Sequence, residues 1–244
     1  MFKTINRRIW KLAFALPFCA ALSPALAQVA PPLGQASDFA VLGGSAVTNT
    51  GGSLVTGDVG TSPGTAITGF PPGTLSGTLH SNDAVAQGGQ SDLTTAYNAL
   101  AGQACNTGLS GTDLGGLTLA PAVYCFSSSA QLTGTLTLDA QGNPNAVFVF
   151  QIGSSLTTAT ASNAIVINGG SDCNVFWQIG SSATLGTGTA LVGNMLALTS
   201  ITLTTGATSH GALLARNGAV TMDTNEISVC APVTPVTLQS FSVD

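Results

Sequence analysis

The sequence predicts a mainly β fold: a β-solenoid in which short strands stack turn upon turn, with one helix alongside. Two eighteen-residue segments, LDAQGNPNAVFVFQIGSS from position 138 and IVINGGSDCNVFWQIGSS from position 165, match in register at an offset of 27. A weaker repeat at an offset of 19 relates residues 219–225 to residues 200–206. Such periods, in short β-rich runs separated by Gly, Ser and Asn, are typical of solenoids. An antiparallel sandwich also has short strands and turns, but the exact register of the two segments at an offset of 27 residues favours the solenoid.

One segment departs from the β pattern and predicts a helix over about residues 81–101. It begins with polar residues that suit a helix start, has an apolar stripe from Val85 to Leu100, and is followed by Gly102. Gly88 and Gly89 would each weaken an isolated helix by about 1 kcal/mol relative to alanine. Their presence indicates that this helix lies tightly along another element, with its outer face small and polar.

The first 27 residues predict a cleaved secretory signal. Four of the five basic residues fall within the first eleven positions, ahead of an apolar run from Leu12 to Leu22. The segment Ala25-Leu26-Ala27 then supplies a small-x-small cleavage site. An uncleaved membrane anchor is the alternative, but the run is short and Pro17 interrupts it. We therefore expect a secreted, extracellular mature protein.

The mature chain is expected to be a single solenoid domain over residues 28–231, followed by a tail over residues 232–244. The tail either covers the last turn or begins a further module. After cleavage Arg216 is the one basic side chain left against ten acidic ones, a formal charge of −9. Nucleic acid is excluded as a partner because phosphate binding needs clustered Lys and Arg. Anionic membrane surfaces are disfavoured for the same reason, and we expect no membrane partner for the mature form.

The cysteines agree with an oxidising compartment. One of the five, Cys19, leaves with the signal. The other four are Cys105, Cys125, Cys173 and Cys230. Three pairings are possible. We favour Cys105–Cys125, which closes a local loop, and Cys173–Cys230, which ties the repeats to their own end. A metal site is the rival hypothesis, but CxxC spacing is absent and only His80 and His210 could assist, so we expect no metal and no cofactor.

Threonine recurs at fixed positions in four short cores: LTTAT at 156, ATLGT at 183, ITLTT at 201 and VTMDT at 220. Stacked strands lie about 4.8 Å apart, so the second and fifth positions of these cores would form two straight files. The predicted files are Thr157, Thr184, Thr202, Thr221 and Thr160, Thr187, Thr205, Thr224. Threonine also suits strands because it is β-branched, and the files alone therefore do not assign a function.

The sequence does not support an enzymatic function. Polysaccharide-cleaving β-helices need clustered carboxylates, whereas the acids here are scattered, with Asp223 and Glu226 the closest interior pair. No nucleophile and base can be combined with the two histidines, so we expect no catalytic activity. A surface or biofilm adhesion module is the alternative non-enzymatic hypothesis, since solenoids serve that role too.

Several motifs, in a fixed order, carry a resemblance to a known family. They are FAVLGGSAVTNTG (39–51), GDVGTSPGTAITGFPPGTLSGTLH (57–80), SDLTTAYNALAG (91–102) and CNVFWQIGSSATLGTGT (173–189). Over roughly residues 34–230 the chain resembles the secreted microbial ice-binding proteins. The resemblance implies a right-handed, discontinuous β-solenoid of triangular cross-section with the long helix packed alongside. It also implies that the first turns, near 39–68, lie beside the last ones.

The resemblance further implies a flat face that carries a loose T-A/G-x-T/N motif. The motif matches at 65–68, 160–163 and 205–208, matches in part at 187–190, and fails at 224–227, where Glu226 would disturb a water-ordering surface. The predicted ice-binding residues are Thr48, Thr50, Thr65, Thr68, Thr157, Thr160, Asn163, Thr184, Thr187, Thr189, Thr202, Thr205, Thr208, Thr221 and Thr224. We expect a monomer that adsorbs to the ice crystal surface and its ordered water, and that inhibits ice growth and recrystallisation.

Overall fold

Strands of two to five residues follow one another around three-sided turns, with sharp corners between them. The computed structural model describes residues 28–230. The predicted signal over 1–27 and the predicted tail over 232–244 lie outside the described residues. Side chains alternate along the strands, one toward the interior and the next toward the surface, because successive residues of a strand point to opposite faces.

The elements follow in chain order. The segment before the long helix contains a short 3₁₀ helix (Gly34–Asp38), β1 (Phe39–Gly43), β2 (Ala46–Thr50), β3 (Leu54–Thr56), β4 (Asp58–Thr61), β5 (Ala66–Thr68), β6 (Thr74–Ser76) and β7 (Leu79–Ser81). The helix α1 (Ala84–Ala101) is followed by β8 (Thr107–Gly108), β9 (Thr118–Leu119), β10 (Val123–Phe126), β11 (Ala130–Leu132), β12 (Thr135–Asp139), β13 (Phe148–Ile152), β14 (Leu156–Thr158) and β15 (Asn163–Ile167). After a second 3₁₀ turn (Asp172–Asn174) come β16 (Val175–Ile179), β17 (Ala183–Leu185), β18 (Ala190–Val192), β19 (Asn194–Ala197), β20 (Ile201–Leu203), β21 (Thr208–His210), β22 (Leu213–Ala215), β23 (Val220–Asp223) and β24 (Glu226–Ser228).

These strands form three parallel sheets, one for each side of the turn. The helix-facing sheet has nine strands in the order β7-β4-β1-β22-β19-β16-β13-β10-β8. The threonine sheet, named for its outward residues, has seven in the order β11-β14-β17-β20-β23-β2-β5. The third sheet has eight in the order β6-β3-β24-β21-β18-β15-β12-β9. The predicted mainly β solenoid with three sides is confirmed.

The solenoid is discontinuous in sequence. Strands β1, β2 and β3, which precede the helix, pair in parallel with β22, β23 and β24 at the other end of the chain. The turn formed by β4, β5 and β6 then stacks on β1, β2 and β3. The expectation that the first turns lie beside the last ones is therefore correct.

The order of strands in the helix-facing sheet explains the position of the helix, which connects the two edges of that sheet. The helix leaves β7 at one edge of the helix-facing sheet and leads to β8 at the opposite edge, a distance of about 38 Å for eight strand spacings. Its 18 residues cover about 27 Å at 1.5 Å per residue. The helix begins at Ala84, three residues after the predicted start, because Ser81 belongs to β7 and Asp83 is the N-cap, accepting a hydrogen bond from the Ala86 N–H at 2.9 Å.

The helix also covers the apolar outer side of the helix-facing sheet. Its buried residues Leu93, Tyr97 and Leu100 belong to the same cluster as Phe176 and Leu214 of that sheet. The predicted stripe was wrong at its first position, since Val85 is 40% exposed and Ala86 and Gly89 face the sheet instead.

Inside the turns, aromatic rings stack along the solenoid axis. The Phe150 ring lies 4.2 Å from that of Trp177, centroid to centroid, and 5.5 Å from that of Tyr124. The Trp177 Nε1–H donates to the Val192 carbonyl at 2.9 Å, so the indole nitrogen is satisfied within the core. Because Tyr124, Phe150 and Trp177 are register partners on the neighbouring strands β10, β13 and β16, parallel pairing produces the stack directly.

Two disulfides join the described cysteines as favoured from the sequence. The bridge Cys105–Cys125 ties the segment after the helix to β10. The bridge Cys173–Cys230 ties the start of the β16 turn to the end of the turn that contains β24.

We expect the two helix glycines to respond oppositely to alanine. A Cβ at Gly89 would lie 2.8 Å from a ring carbon of buried Phe39, whereas at Gly88 it would meet the mobile end of the Gln35 side chain. Gly89→Ala should lower the free energy of unfolding by about 1–2 kcal/mol, because overpacking exceeds the helix-propensity gain. Gly88→Ala should leave it unchanged or raise it. Denaturant unfolding measures both, and equal effects in the two variants would contradict the tight contact at Gly89.

Candidate functional site

One straight file of side chains runs along the outside of the threonine sheet. Its members lie on successive strands of this sheet and pair in register from one strand to the next. In spatial order they are Gln131, Thr157, Thr184, Thr202, Thr221, Thr48 and Thr68. Six consecutive threonines at about 4.8 Å spacing give a row about 24 Å long.

The file extends the four-residue column predicted from the repeats. Thr157, Thr184, Thr202 and Thr221 align as the repeat spacing predicts. Thr48 joins because β2 stacks on β23, and its hydroxyl donates to the Thr221 hydroxyl at 3.3 Å. All six are exposed or half-exposed. Except for Thr68, which ends β5, each has a buried residue on either side in its strand, and this holds the row rigidly.

A second file of small residues flanks the threonines. It lies two positions earlier in each turn, on the same side of the strand. Its members are Ser129, Ser155, Ser182, Ser200, Ala219, Ala46 and Ala66. The Ser129 and Ser155 hydroxyls lie 2.9 Å apart. Sequence reasoning missed this file, although a serine stands immediately before three of the four threonine cores. Apart from Gln131 at one end, the two files consist of small, uncharged side chains.

The corner between the threonine sheet and the third sheet carries a shorter threonine row. Thr160, Thr187 and Thr205 are exposed here. Each precedes a residue in the left-handed conformation: Ala161 (φ 56°), Gly188 (φ 66°) and Gly206 (φ 71°). The Ala161 N–H donates to the Thr187 carbonyl, and the Gly188 N–H to the Thr205 carbonyl, so the three corners stack. The predicted second file is confirmed for these three rungs.

The fourth rung of the second file was predicted wrongly. The corner after β23 is one residue shorter: Thr221 is followed five positions later by Glu226 on the third sheet, whereas Thr202 is followed six positions later by Thr208. Thr224 therefore takes the left-handed position itself, with φ 54°. Asp223 lies beside Thr205 instead and accepts a hydrogen bond from its hydroxyl.

The T-A/G-x-T/N motif crosses the corner rather than lying on one face. Its last residue begins a strand of the third sheet, where Asn163, Ala190, Thr208 and Glu226 form one file. The predicted site residues Asn163 and Thr208 thus sit beyond the corner, half-exposed. Glu226 lies on the third sheet and not on the threonine sheet.

The remaining predicted residues fall in two places. Thr50 ends β2, exposed, in register with Asp223. Thr65 is exposed just before β5, so the motif match at 65–68 lies along the threonine sheet and not across a corner.

The prediction of Thr189 as a surface residue was wrong. Its relative exposure is 0%, and its hydroxyl lies 2.7 Å from the Thr158 hydroxyl and donates to the Ala159 carbonyl at 3.1 Å. Thr158 in turn accepts from the Gly186 N–H at 2.8 Å. Buried backbone groups need hydrogen-bond partners. The two buried threonine hydroxyls supply them for the Gly186 N–H and the Ala159 carbonyl of this corner.

Charge separates the threonine sheet from its neighbours. The helix covers the helix-facing sheet, and the outer side of the third sheet carries Glu226 and His210, the latter 2.9 Å from Asp172. At the rim of the threonine sheet, the hydrogen bond from the Thr205 hydroxyl holds the pKa of Asp223 below its ordinary value. Over residues 28–230, Asp223 is the one ionisable side chain on a strand of that sheet.

Two kinds of feature are absent from residues 28–230. No cluster of three or more His, Cys, Asp or Glu is arranged to hold a metal ion. The helix α1 does not have the length and apolar character needed to cross a membrane.

Comparison with known proteins agrees with this geometry. The family model described as Ice-binding-like matches residues 41–228. A protein named Ice-binding protein from Nostoc sp. (strain HG1) is 57% identical over 225 residues, which span 92% of this chain and 83% of that protein. The chain therefore belongs to the ice-binding protein family.

Solved structures share the fold. The crystal structure of an ice-binding protein from an Antarctic biological consortium superposes with a TM-score of 0.82 at 49% identity, over 84% of this chain and 93% of that one. An ice-binding protein from the Antarctic ascomycete Antarctomyces psychrotrophicus gives 0.81 at 43% identity, over 84% and 100% of the two chains.

Two threonines of one corner should behave differently when changed to valine. Thr189→Val removes the acceptor of the buried Thr158 hydroxyl and should lower the free energy of unfolding by about 1–3 kcal/mol. Thr187→Val, on the exposed side of the same corner, should change it by no more than about 0.5 kcal/mol. Thermal and denaturant unfolding measure both, and a Thr189 variant as stable as the wild type would contradict the buried role.

Proposed function

We propose that this protein binds ice through the outer face of the threonine sheet. The observation that carries the proposal is the file of six threonines in register, from Thr157 to Thr68, on a surface flanked by serine and alanine. The three corner threonines, Thr160, Thr187 and Thr205, extend that surface along one edge. Family membership supports the same function.

The chemistry of such a surface suits ice. An ice lattice presents ordered water without charge, so a complementary surface is flat, rigid and neutral. Each threonine offers a hydroxyl that anchors a water molecule and a methyl group that restricts its alternatives, on a stiff β-branched side chain. Ordered interfacial water can replace direct contacts at a modest entropic cost of about 0–2 kcal/mol for each water.

Rigidity comes from the backbone beneath the surface. Every strand that carries a file residue pairs on at least one side within the parallel ladder, and the side chains below are fully buried, as with Leu156, Ile201 and Val220. Because the hydroxyls and methyls are held in place before contact, binding does not have to order them, and that saves conformational entropy.

We further propose that the protein acts outside the cell as a monomer. The basic and apolar pattern of residues 1–27 supports secretion, and the two disulfides are consistent with an oxidising compartment. Adsorption of separate molecules along one flat face would stop the growth of ice between them, and would equally slow recrystallisation.

A bulky side chain in the centre of the file should abolish most of this activity. Thr184→Tyr places a ring above the flat surface and separates neighbouring threonines from the ice. We expect the minimum concentration that stops recrystallisation to rise by about tenfold or more, equivalent to about 1.4 kcal/mol of adsorption free energy. Thr160→Tyr, at the corner, should have a smaller effect in the same direction. Both are measured by ice recrystallisation and thermal hysteresis assays on the mature protein.

Thr56→Tyr is the matched control, since Thr56 is exposed on strand β3 of the third sheet. It should leave activity unchanged, and all three variants should keep the wild-type melting temperature. Equal losses in the Thr56 and Thr184 variants would show that the wrong face has been assigned. A wild-type protein that leaves ice growth unaltered at high micromolar concentration would refute ice binding and favour an adhesion module.

A further inference from the structure

Asp223 interrupts an otherwise neutral corner of the candidate surface. It ends β23, with Thr50 as its register partner on β2 and Thr205 on its other side. Its Oδ2 accepts from the Thr205 hydroxyl, and its Oδ1 accepts from the Thr224 hydroxyl at 3.2 Å. The carboxylate is half-exposed and faces the same side as the threonine row.

The local backbone explains why an acid is held here. The short corner leaves no residue equivalent to Thr205 in this turn, and Asp223 and Thr224 take the places of three residues, Thr204, Thr205 and Gly206. The Asp223 N–H donates to the Asn225 side-chain oxygen at 2.6 Å, which fixes the start of the turn.

We propose that Asp223 limits the ice-binding surface, separating the corner row of Thr160, Thr187 and Thr205 from Thr50 on the neighbouring strand β2. This inference rests on the proposed function, and it concerns the extent of the surface rather than its existence. Removing the charge would join the two parts into one continuous neutral edge.

Two physical effects support this role. A carboxylate holds its own hydration shell, whose geometry is set by the charge and not by the ice lattice, and displacing that shell is costly. The hydroxyl protons of Thr205 and Thr224 are directed at the carboxylate, so these hydroxyls cannot donate to water at the surface. One charge therefore affects three surface positions.

The test compares Asp223→Asn and Asp223→Thr with the wild type. Asparagine keeps an oxygen that accepts from either threonine, while threonine supplies the residue of the neighbouring corners. We expect both variants to be more active, with a minimum inhibitory concentration for recrystallisation about twofold lower or better, because the desolvation cost of the charge is removed. Labelled protein adsorbed to a single ice crystal should also cover additional planes.

Glu226→Gln is the matched control, since it removes one negative charge three residues away on the third sheet. It should show no gain. A folded Asp223→Asn variant without increased activity would overturn the inference, as would an equal gain in Glu226→Gln. Loss of folded structure in both Asp223 variants, seen by circular dichroism, would make the carboxylate a structural requirement and overturn it too. An inactive wild type would instead refute the proposed function itself.

Discussion

Parallel backbone pairing in strict register is the constraint on which the rest of this structure depends. The backbone of each turn forms hydrogen bonds with the backbone of the next, and neighbouring strands lie about 4.8 Å apart. Side chains at equivalent positions of successive turns therefore lie in a straight line. The stacked rings of Tyr124, Phe150 and Trp177 inside and the threonine file outside are two results of this one constraint. A substitution in one turn therefore affects a row and not only a site.

The same pairing accounts for the helix and for the order of the chain. The turns before the helix end with β7 at one end of the stack, and the chain resumes with β8 at the opposite end. A connector therefore has to run along the length of the stack. The helix α1 supplies it, and its apolar side covers the one sheet that would otherwise expose Phe176 and Leu214. Because the early strand β2 pairs with the late strand β23, and β5 pairs with β2, the threonine file also includes Thr48 and Thr68.

Corners decide where the surface ends. Three corners of equal length repeat one backbone conformation and align Thr160, Thr187 and Thr205, whereas the corner after β23 is shorter and places Asp223 beside them. Buried hydroxyls such as those of Thr158 and Thr189 satisfy the backbone from within. Threonine thus serves two purposes in this fold, with the direction of the side chain deciding between surface chemistry and internal support.

The sequence by itself determined the solenoid, the helix and the column from Thr157 to Thr221, because the repeats of 27 and 19 residues and the alternation of side chains are local properties of the chain. It favoured the observed cysteine pairs among three possible pairings. Resemblance to the family supplied the contact between early and late turns, which no local pattern shows. Only the tertiary structure decided that Thr189 is buried, because its corner directs the side chain inward to the Thr158 hydroxyl. It also decided that Asp223, not Thr224, lies beside Thr205, because the corner after β23 is one residue shorter although the threonine spacing in the sequence is unchanged.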